Sequence, residues 1–235
     1  MTLIDRVVVV VPAHDEEELI GAAVDALLVA AARLAALVRT TVVVVANACS
    51  DRTAERASAA GATVVEVTHA NVGAARAAGF DWALEHEPHP VTRTWFATTD
   101  ADSRVPAHWL AVQLEAATAG ADVHLGTVAL EPHERASHAA WVDSYAAASR
   151  EGTGHGHVHG ASMGIRAASY LRVGGFAALD SDEDVDLVTR LTAWGARIVW
   201  DESCPVVTSS RLTARAPRGV SRDLRLSLDT DDLPA

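Results

Sequence analysis

Lysine is absent from this sequence, so all 19 of its basic residues are arginine. That excludes a lysine nucleophile and any Schiff base formed on one. Cysteine is scarce as well: Cys49 and Cys204 lie far apart, and one possible pair in 235 residues calls for no oxidising compartment. Positive charge is in deficit, 19 Lys+Arg against 31 Asp+Glu, a formal net charge of -12. The average field therefore repels a polyanion, and no nucleic-acid partner is expected. No apolar run approaches the roughly 20 residues that a membrane-spanning helix needs. No basic stretch, apolar core and small-residue cleavage site follow Met1. The expectation is a cytoplasmic chain with no integral membrane segment, with peripheral membrane association left open.

What the sequence has in quantity is apolar side chains, 49% of its residues, enough to fill one sizeable core. A single domain over residues 1–235 is expected. Val7 to Val11 is an unbroken β-branched run closed by Pro12, the pattern of a strand buried on both faces, and Asp15 to Glu18 opens a helix running to about Val38. Thr41 to Val45 and Thr63 to Val67 repeat the strand pattern, with a helix between them starting near Asp51 and capped by Ser50. A helix over Asn71 to His86, a strand over Thr94 to Thr98, a helix from Pro106 to about Ala119 and a strand over Val123 to Leu130 continue the alternation. Strands alternating with helices predict an α/β fold around a mostly parallel central sheet. The later elements are less regular: helix over Ala136 to Arg150, loop over Gly152 to Gly160, short strand over Ser162 to Arg166, helix over Asp184 to Trp194 and strand over Arg197 to Trp200. Residues 209–235, rich in Arg, Pro, Asp and Ser, read as a flexible tail or flap.

Asp100-Ala101-Asp102 follows an apolar strand and so emerges at the carboxyl edge of the sheet, where open α/β folds bind ligands. Two hard oxygen ligands there suit Mg²⁺ or Mn²⁺ beside a diphosphate; the same residues also suit a helix cap. Two further loops end on this edge, Pro12-Ala13-His14-Asp15-Glu16-Glu17 and Asn47-Ala48-Cys49-Ser50-Asp51-Arg52-Thr53. Their carboxylate and amide groups are the polar partners that a base and ribose require. Asn71-Val72-Gly73-Ala74-Ala75-Arg76 offers a helix N-terminus able to receive phosphate with Arg76 assisting, or else close packing of helix on sheet at Gly73. Asp182-Glu183-Asp184-Val185-Asp186 places carboxylates at a helix start, suited to a general base or to the helix dipole alone.

In this order the motifs resemble glycosyltransferase family 2, the inverting nucleotide-sugar transferases of GT-A fold. The resemblance rests on Pro12 to Glu16, Asp100 to Asp102, the segment Gly160 to Arg166 with Gly174-Gly175-Phe176, and Glu183-Asp184-Val185-Asp186-Leu187 with Arg190. It covers roughly Val7 to Thr208. It implies a Rossmann-type αβα sandwich, with a nucleotide-sugar half over about 1–102 and an acceptor half over about 103–208. It also implies a metal-dependent transferase taking a sugar nucleotide, UDP- or GDP-sugar foremost, with Mn²⁺ or Mg²⁺. By the same resemblance Asp184 is the base, Asp102 the principal metal ligand with Asp100 assisting, and Pro12, His14, Asp15, Glu16, Asn47, Asp51 and Arg76 belong to the donor site. Two departures stand out: Asn47 where the family often has an acid, and Thr208-Ser209-Ser210 where many members carry a histidine able to reach the metal.

Arg211, Arg215 and Arg218 follow, either as a basic flap over the diphosphate or as solvated charges. His155, His157 and His159 alternate between glycines and read as an acceptor-side loop in preference to a second metal site. Trp109, Trp141, Trp194 and Trp200 are expected in the core. Three other functions remain open: a retaining transferase, a nucleotide-binding partner without catalysis, and a nucleotidyltransferase. The last lacks the Gly-rich run and basic residue that cradle a triphosphate.

Overall fold

The structure is a computed structural model that describes residues 3–69, 71–148, 157–211 and 220–231. Its central strand, β1 (Arg6–Ala13), is buried at every position. Val7, Val9 and Val11 enter one apolar cluster while Val8 and Val10 enter the other, so the valine run follows from a strand covered on both faces. β1 lies in parallel between β2 (Arg39–Asn47) and β4 (Thr94–Thr98), and β2 continues in parallel to β3 (Thr63–Val67). The ladder to β4 stops at Val10↔Thr98, so Pro12, which has no N–H to give, stands beyond its end.

On one face α1 (Ile20–Ala32) and α4 (Trp109–Thr118) pack on the sheet, with Ile20, Val24 and Leu27 buried beside Trp109 and Leu110. On the other lie α3 (Val72–His86), α6 (Ala167–Arg172) and α7 (Glu183–Trp194). There Phe80 stacks on Phe96 at 4.3 Å between centroids, and Tyr170 and Phe176 close the cluster. Gly79 is needed for this contact, because a Cβ there would come within 2.6 Å of Val10 Cγ1. α2 (Thr53–Ala59) links β2 to β3.

The second half turns the sheet mixed. β7 (Met163–Arg166) runs antiparallel to both β4 and β6 (Val123–Ala129). β6 then pairs in parallel with β8 (Ile198–Thr208), and β5 (Ser103–Arg104) pairs antiparallel with the end of β8. Among the described residues the order is β3-β2-β1-β4-β7-β6-β8-β5. The expected αβα layering and mostly parallel sheet are present.

Several local expectations are corrected. α1 begins at Ile20, because Asp15 takes φ 52° and the acidic stretch forms a loop; the helix ends at Ala32, with turns to Leu37. The last strand reaches Thr208, eight residues past Trp200, and this extension meets β5. α5 (Ala139–Ala148) packs against α8 (Val220–Asp231), a helix within the segment expected to be loose, with Leu224 buried beside Val128, Leu130 and Trp141. Trp194, expected in the core, is 45% exposed at the end of α7, whereas Trp109 and Trp141 are buried. Among the described residues no helix is long and apolar enough to cross a membrane.

Candidate active site at the carboxyl edge of the sheet

The two loops leaving β1 and β2 are tied side chain to main chain. Asp15 Oδ1 accepts from the Ser50 amide at 2.6 Å, and Asp51 Oδ2 accepts from the Glu17 amide at 3.0 Å. The Glu16 amide donates to Thr53 Oγ1 at 2.7 Å. The Ser50 amide bond holds the Asp15 carboxyl below its ordinary value. Ser50 does not cap α2: the N-cap position is Arg52, without a side-chain cap bond, and Asp51 Oδ1 accepts from the Thr53 amide at 2.9 Å. His14 is exposed and pairs through Nδ1 with the Asn47 carbonyl at 2.8 Å. Asn47 itself is buried, its amide donating to the Asn71 carbonyl at 3.2 Å. Cys49 is half-buried, and its thiol lies within 4.8 Å of ligand oxygens of Asp15 and Asp51. The loops border a cavity of about 340 Å³ lined by Asp15, Glu16, Glu17, Glu18, Leu19, Ser50, Asp51 and Arg211.

Non-glycine residues with positive φ number three among the described residues, Asp15 at 52°, Ala48 at 51° and Asp182 at 61°. All three stand in loops at this site. For an alanine that conformation costs roughly 1–2 kcal/mol, strain that the surrounding cross-ties must hold.

Arg76 is placed differently from the phosphate-facing position suggested by its sequence context. The N-terminus of α3 is covered: Asn71 caps it by accepting from the Ala74 amide at 2.9 Å, and a Cβ on Gly73 would collide with the Ala177 carbonyl oxygen. Gly73 thus serves close packing. Arg76 is 3% exposed and reaches inward, donating from Nε to Thr98 Oγ1 at 3.2 Å, from Nη2 to Asp100 Oδ1 at 2.7 Å and from Nη1 to Glu183 Oε1. Burial opposes its charge, but Asp100, Glu183 and Asp184 outweigh burial and hold the guanidinium above its ordinary value. Burial pushes the Glu183 carboxyl up despite Arg76. One buried cation thus joins the end of β4 to the start of α7.

Asp184, the next residue, is half-buried, with Oδ2 accepting from the Gly160 amide at 2.7 Å and Oδ1 from its neighbour Val185 at 2.8 Å. Gly160 in turn lies on Arg76, where a Cβ would collide with the guanidinium. The Arg76–Glu183 pair and the Gly160–Asp184 bond therefore form one unit.

Asp102 is mostly buried, and its carboxyl is pushed up to about 6 by burial and by Asp100, with Arg211 opposing. Ser103 Oγ donates to Thr208 Oγ1 at 3.0 Å, which draws the end of β8 against Asp102. Arg211, three residues on, donates from Nη1 to Glu16 Oε2 at 2.8 Å and pairs through Nη2 with Asp102 Oδ2 at 2.9 Å. Asp100 and Asp102 bring two hard carboxylate donors to the end of β4, a donor type that fits a divalent cation such as Mg²⁺ or Mn²⁺. Sequence reasoning missed the parts played by Glu183 and Gly160. A signal for Glu183 was present: Arg76 sits among Gly73, Ala74, Ala75, Ala77 and Ala78, and an arginine buried in a small-residue stripe needs a carboxylate partner.

His157 stacks on Tyr145 at 3.9 Å between centroids, and His159 Nε2 lies 3.1 Å from the Tyr145 hydroxyl. His157 Nε2 lies 3.1 Å from the Tyr145 carbonyl, so both histidines are engaged by α5. His155, Arg215 and Arg218 lie outside the described residues.

The sequence profile described as Glycosyl transferase family 2 matches residues 8–170. Comparison with curated protein sequences gives no match. Among solved structures, a Pyrobaculum calidifontis mannosyltransferase in complex with GDP-Man and Mn²⁺ superposes with a TM-score of 0.62 at 20% identity; the match covers 97% of this chain and 61% of that one. A Mycobacterium tuberculosis glucosyl-3-phosphoglycerate synthase in complex with Mn²⁺, UDP and phosphoglyceric acid superposes with a TM-score of 0.59 at 15% identity, covering 98% of this chain and 80% of that one. The chain thus spans about three fifths of the mannosyltransferase's length. At these identities the likeness is one of fold.

Proposed function

The chain belongs to glycosyl transferase family 2, and on that premise we propose that it transfers a sugar, with inversion, from a nucleoside diphosphate to an acceptor hydroxyl. The observation that carries the reading is the Arg76 unit, in which one buried guanidinium bonds Asp100 of the Asp-x-Asp segment and Glu183 beside Asp184. The donor lies over the loops after β1 and β2, with Pro12, His14, Asp15, Glu16, Asn47 and Asp51 forming or supporting the nucleotide site. Asn47 acts from behind, since its side chain is buried against Asn71.

Asp102, with Asp100, would hold Mn²⁺ or Mg²⁺, which when bound neutralises the diphosphate and stabilises its charge as the glycosidic bond breaks. The cavity's own charge supports such a need, because among the described residues its lining holds five carboxylates and one arginine, a balance that favours a cation beside a diphosphate. Asp184 takes the proton of the acceptor hydroxyl. Two backbone amides hold its oxygens, so it meets the acceptor in one orientation, and its remaining lone pairs are available to the hydroxyl. Arg76 and Glu183 position that carboxylate and touch no reacting atom.

The test is calorimetric titration of the protein with UDP, GDP, CDP and dTDP, each with and without Mn²⁺. Selective binding of one diphosphate that requires Mn²⁺ is expected and names the base of the donor. Absence of binding by all four would overturn the transferase reading and leave a family member without catalysis.

A further inference from the structure

Arg211 makes contacts that the transfer chemistry above does not require. Its guanidinium forks onto both oxygens of Glu16 and also reaches Asp102 Oδ2 at 2.9 Å. The three residues come from separate parts of the chain: the loop after β1, the turn after β4, and the segment just past β8. Glu16 is buried, and among the described residues the Arg211 Nε is enclosed with no hydrogen-bond partner while the guanidinium's two Nη atoms meet the two carboxylates. Arg211 lines the larger cavity with Asp15, Ser50 and Asp51, while Asp102 lines a second cavity of about 160 Å³ with Ser103 and Thr208. The ion pair spans the boundary between the two.

We propose that Arg211 is an internal counter-ion that occupies the Asp102 carboxylate until a diphosphate draws it away, so that metal and donor bind cooperatively. This rests on the reading of Asp102 as metal ligand. The argument is one of charge. Glu16, Asp102 and Arg211 together carry a net charge of one negative unit, and a divalent cation on the same Asp102 oxygen is repelled by the guanidinium a few ångströms away. A diphosphate in the cavity supplies the anion that both cations lack. Arg211 can then keep its fork on Glu16 and turn Nη2 from Asp102 to a phosphate oxygen, a donor geometry that suits phosphate as well as carboxylate. Metal alone meets the guanidinium and diphosphate alone meets the carboxylates, each a charge of its own sign, whereas the two together offset one another. By linkage, each raises the affinity of the other by the same factor.

The test is titration of Mn²⁺ alone, followed by electron paramagnetic resonance, into the wild-type protein and the Arg211→Met, Arg211→Lys and Asp102→Asn variants. Titration of inorganic pyrophosphate with and without Mn²⁺ follows. Arg211→Met is expected to bind Mn²⁺ alone about tenfold more tightly than wild type and to lose most of the mutual enhancement between Mn²⁺ and pyrophosphate. Arg211→Lys keeps the charge without the fork and is expected to fall between the two. Mn²⁺ affinity unchanged or weakened in both Arg211 variants, with Asp102→Asn still abolishing Mn²⁺ binding, overturns the counter-ion role and leaves the metal ligand standing. Unchanged Mn²⁺ binding in Asp102→Asn overturns the metal assignment, and the counter-ion role falls with it.

Discussion

The amide of Gly160 donates to Asp184 Oδ2 at 2.7 Å, and the same glycine rests on the guanidinium of Arg76. The carboxylate assigned as base is thus held by a backbone group whose own position depends on a buried cation.

Asp184→Asn tests the base directly. The amide keeps an oxygen able to accept from Gly160 but cannot take a proton from the acceptor. Transfer is expected to fall by about 10²–10⁴-fold, while donor binding by calorimetry stays within a factor of a few. Retention of most of the transfer rate would sink the assignment.

Gly160→Ala tests the coupling. The added Cβ meets Arg76, so the loop or the arginine must shift, at a cost of roughly 1–3 kcal/mol. The fold is expected to survive, with a lower midpoint in urea and transfer reduced more than donor binding. An unchanged transfer rate in a folded variant would show that the Gly160–Asp184 bond has no part in placing the base.

Arg76→Met removes the only guanidinium that bonds Glu183 among the described residues. Glu183 is then buried without compensation, and about 3–5 kcal/mol of stability is expected to be lost. Adding Glu183→Met should restore much of that stability while leaving transfer impaired. If the double variant is no more stable than Arg76→Met in urea titration, the loss comes from packing and not from the orphaned carboxylate.

Asp102 gives the protein a pH dependence. Its folded-state value of about 6 lies above the ordinary 3.8, so the native state holds this proton more tightly than the unfolded chain does. Without metal, the stability associated with the protonated group is lost as pH rises through about 6. A bound cation reverses the sign by favouring the carboxylate. The thermal stabilisation given by Mn²⁺ is therefore expected to grow from about pH 5 to about pH 7 and to vanish in Asp102→Asn. A Mn²⁺ effect that is flat across this range would place the ion elsewhere.

Much of the architecture was legible because it is written in local patterns. A valine run too continuous for a half-exposed strand and a helix start at Asn71 each act through neighbours in the chain. Their physical cause lies within a few residues. The order of the Asp-x-Asp and Glu-Asp-x-Asp motifs likewise sufficed to indicate the family.

Long-range charge pairing was decided only by the tertiary structure. Arg76 and Glu183 are 107 residues apart, and Arg211 and Glu16 are 195 apart. Whether such residues meet depends on which strands neighbour one another, and the antiparallel insertion of β7 between β4 and β6 leaves no periodic trace in the sequence. Arg76 looked like a phosphate ligand because its helix begins with small residues. Those small residues instead admit the chain around Ala177 and Gly160, which excludes water from Arg76 and turns it into a structural cation. Arg211 looked like part of a loose tail, until the extension of β8 and its Ser103–Thr208 contact carried it onto Asp102. The sequence determined which charges the protein has at its carboxyl edge; only packing in three dimensions, by burying some and leaving others open, decided which of them are spent on one another and which remain for a ligand.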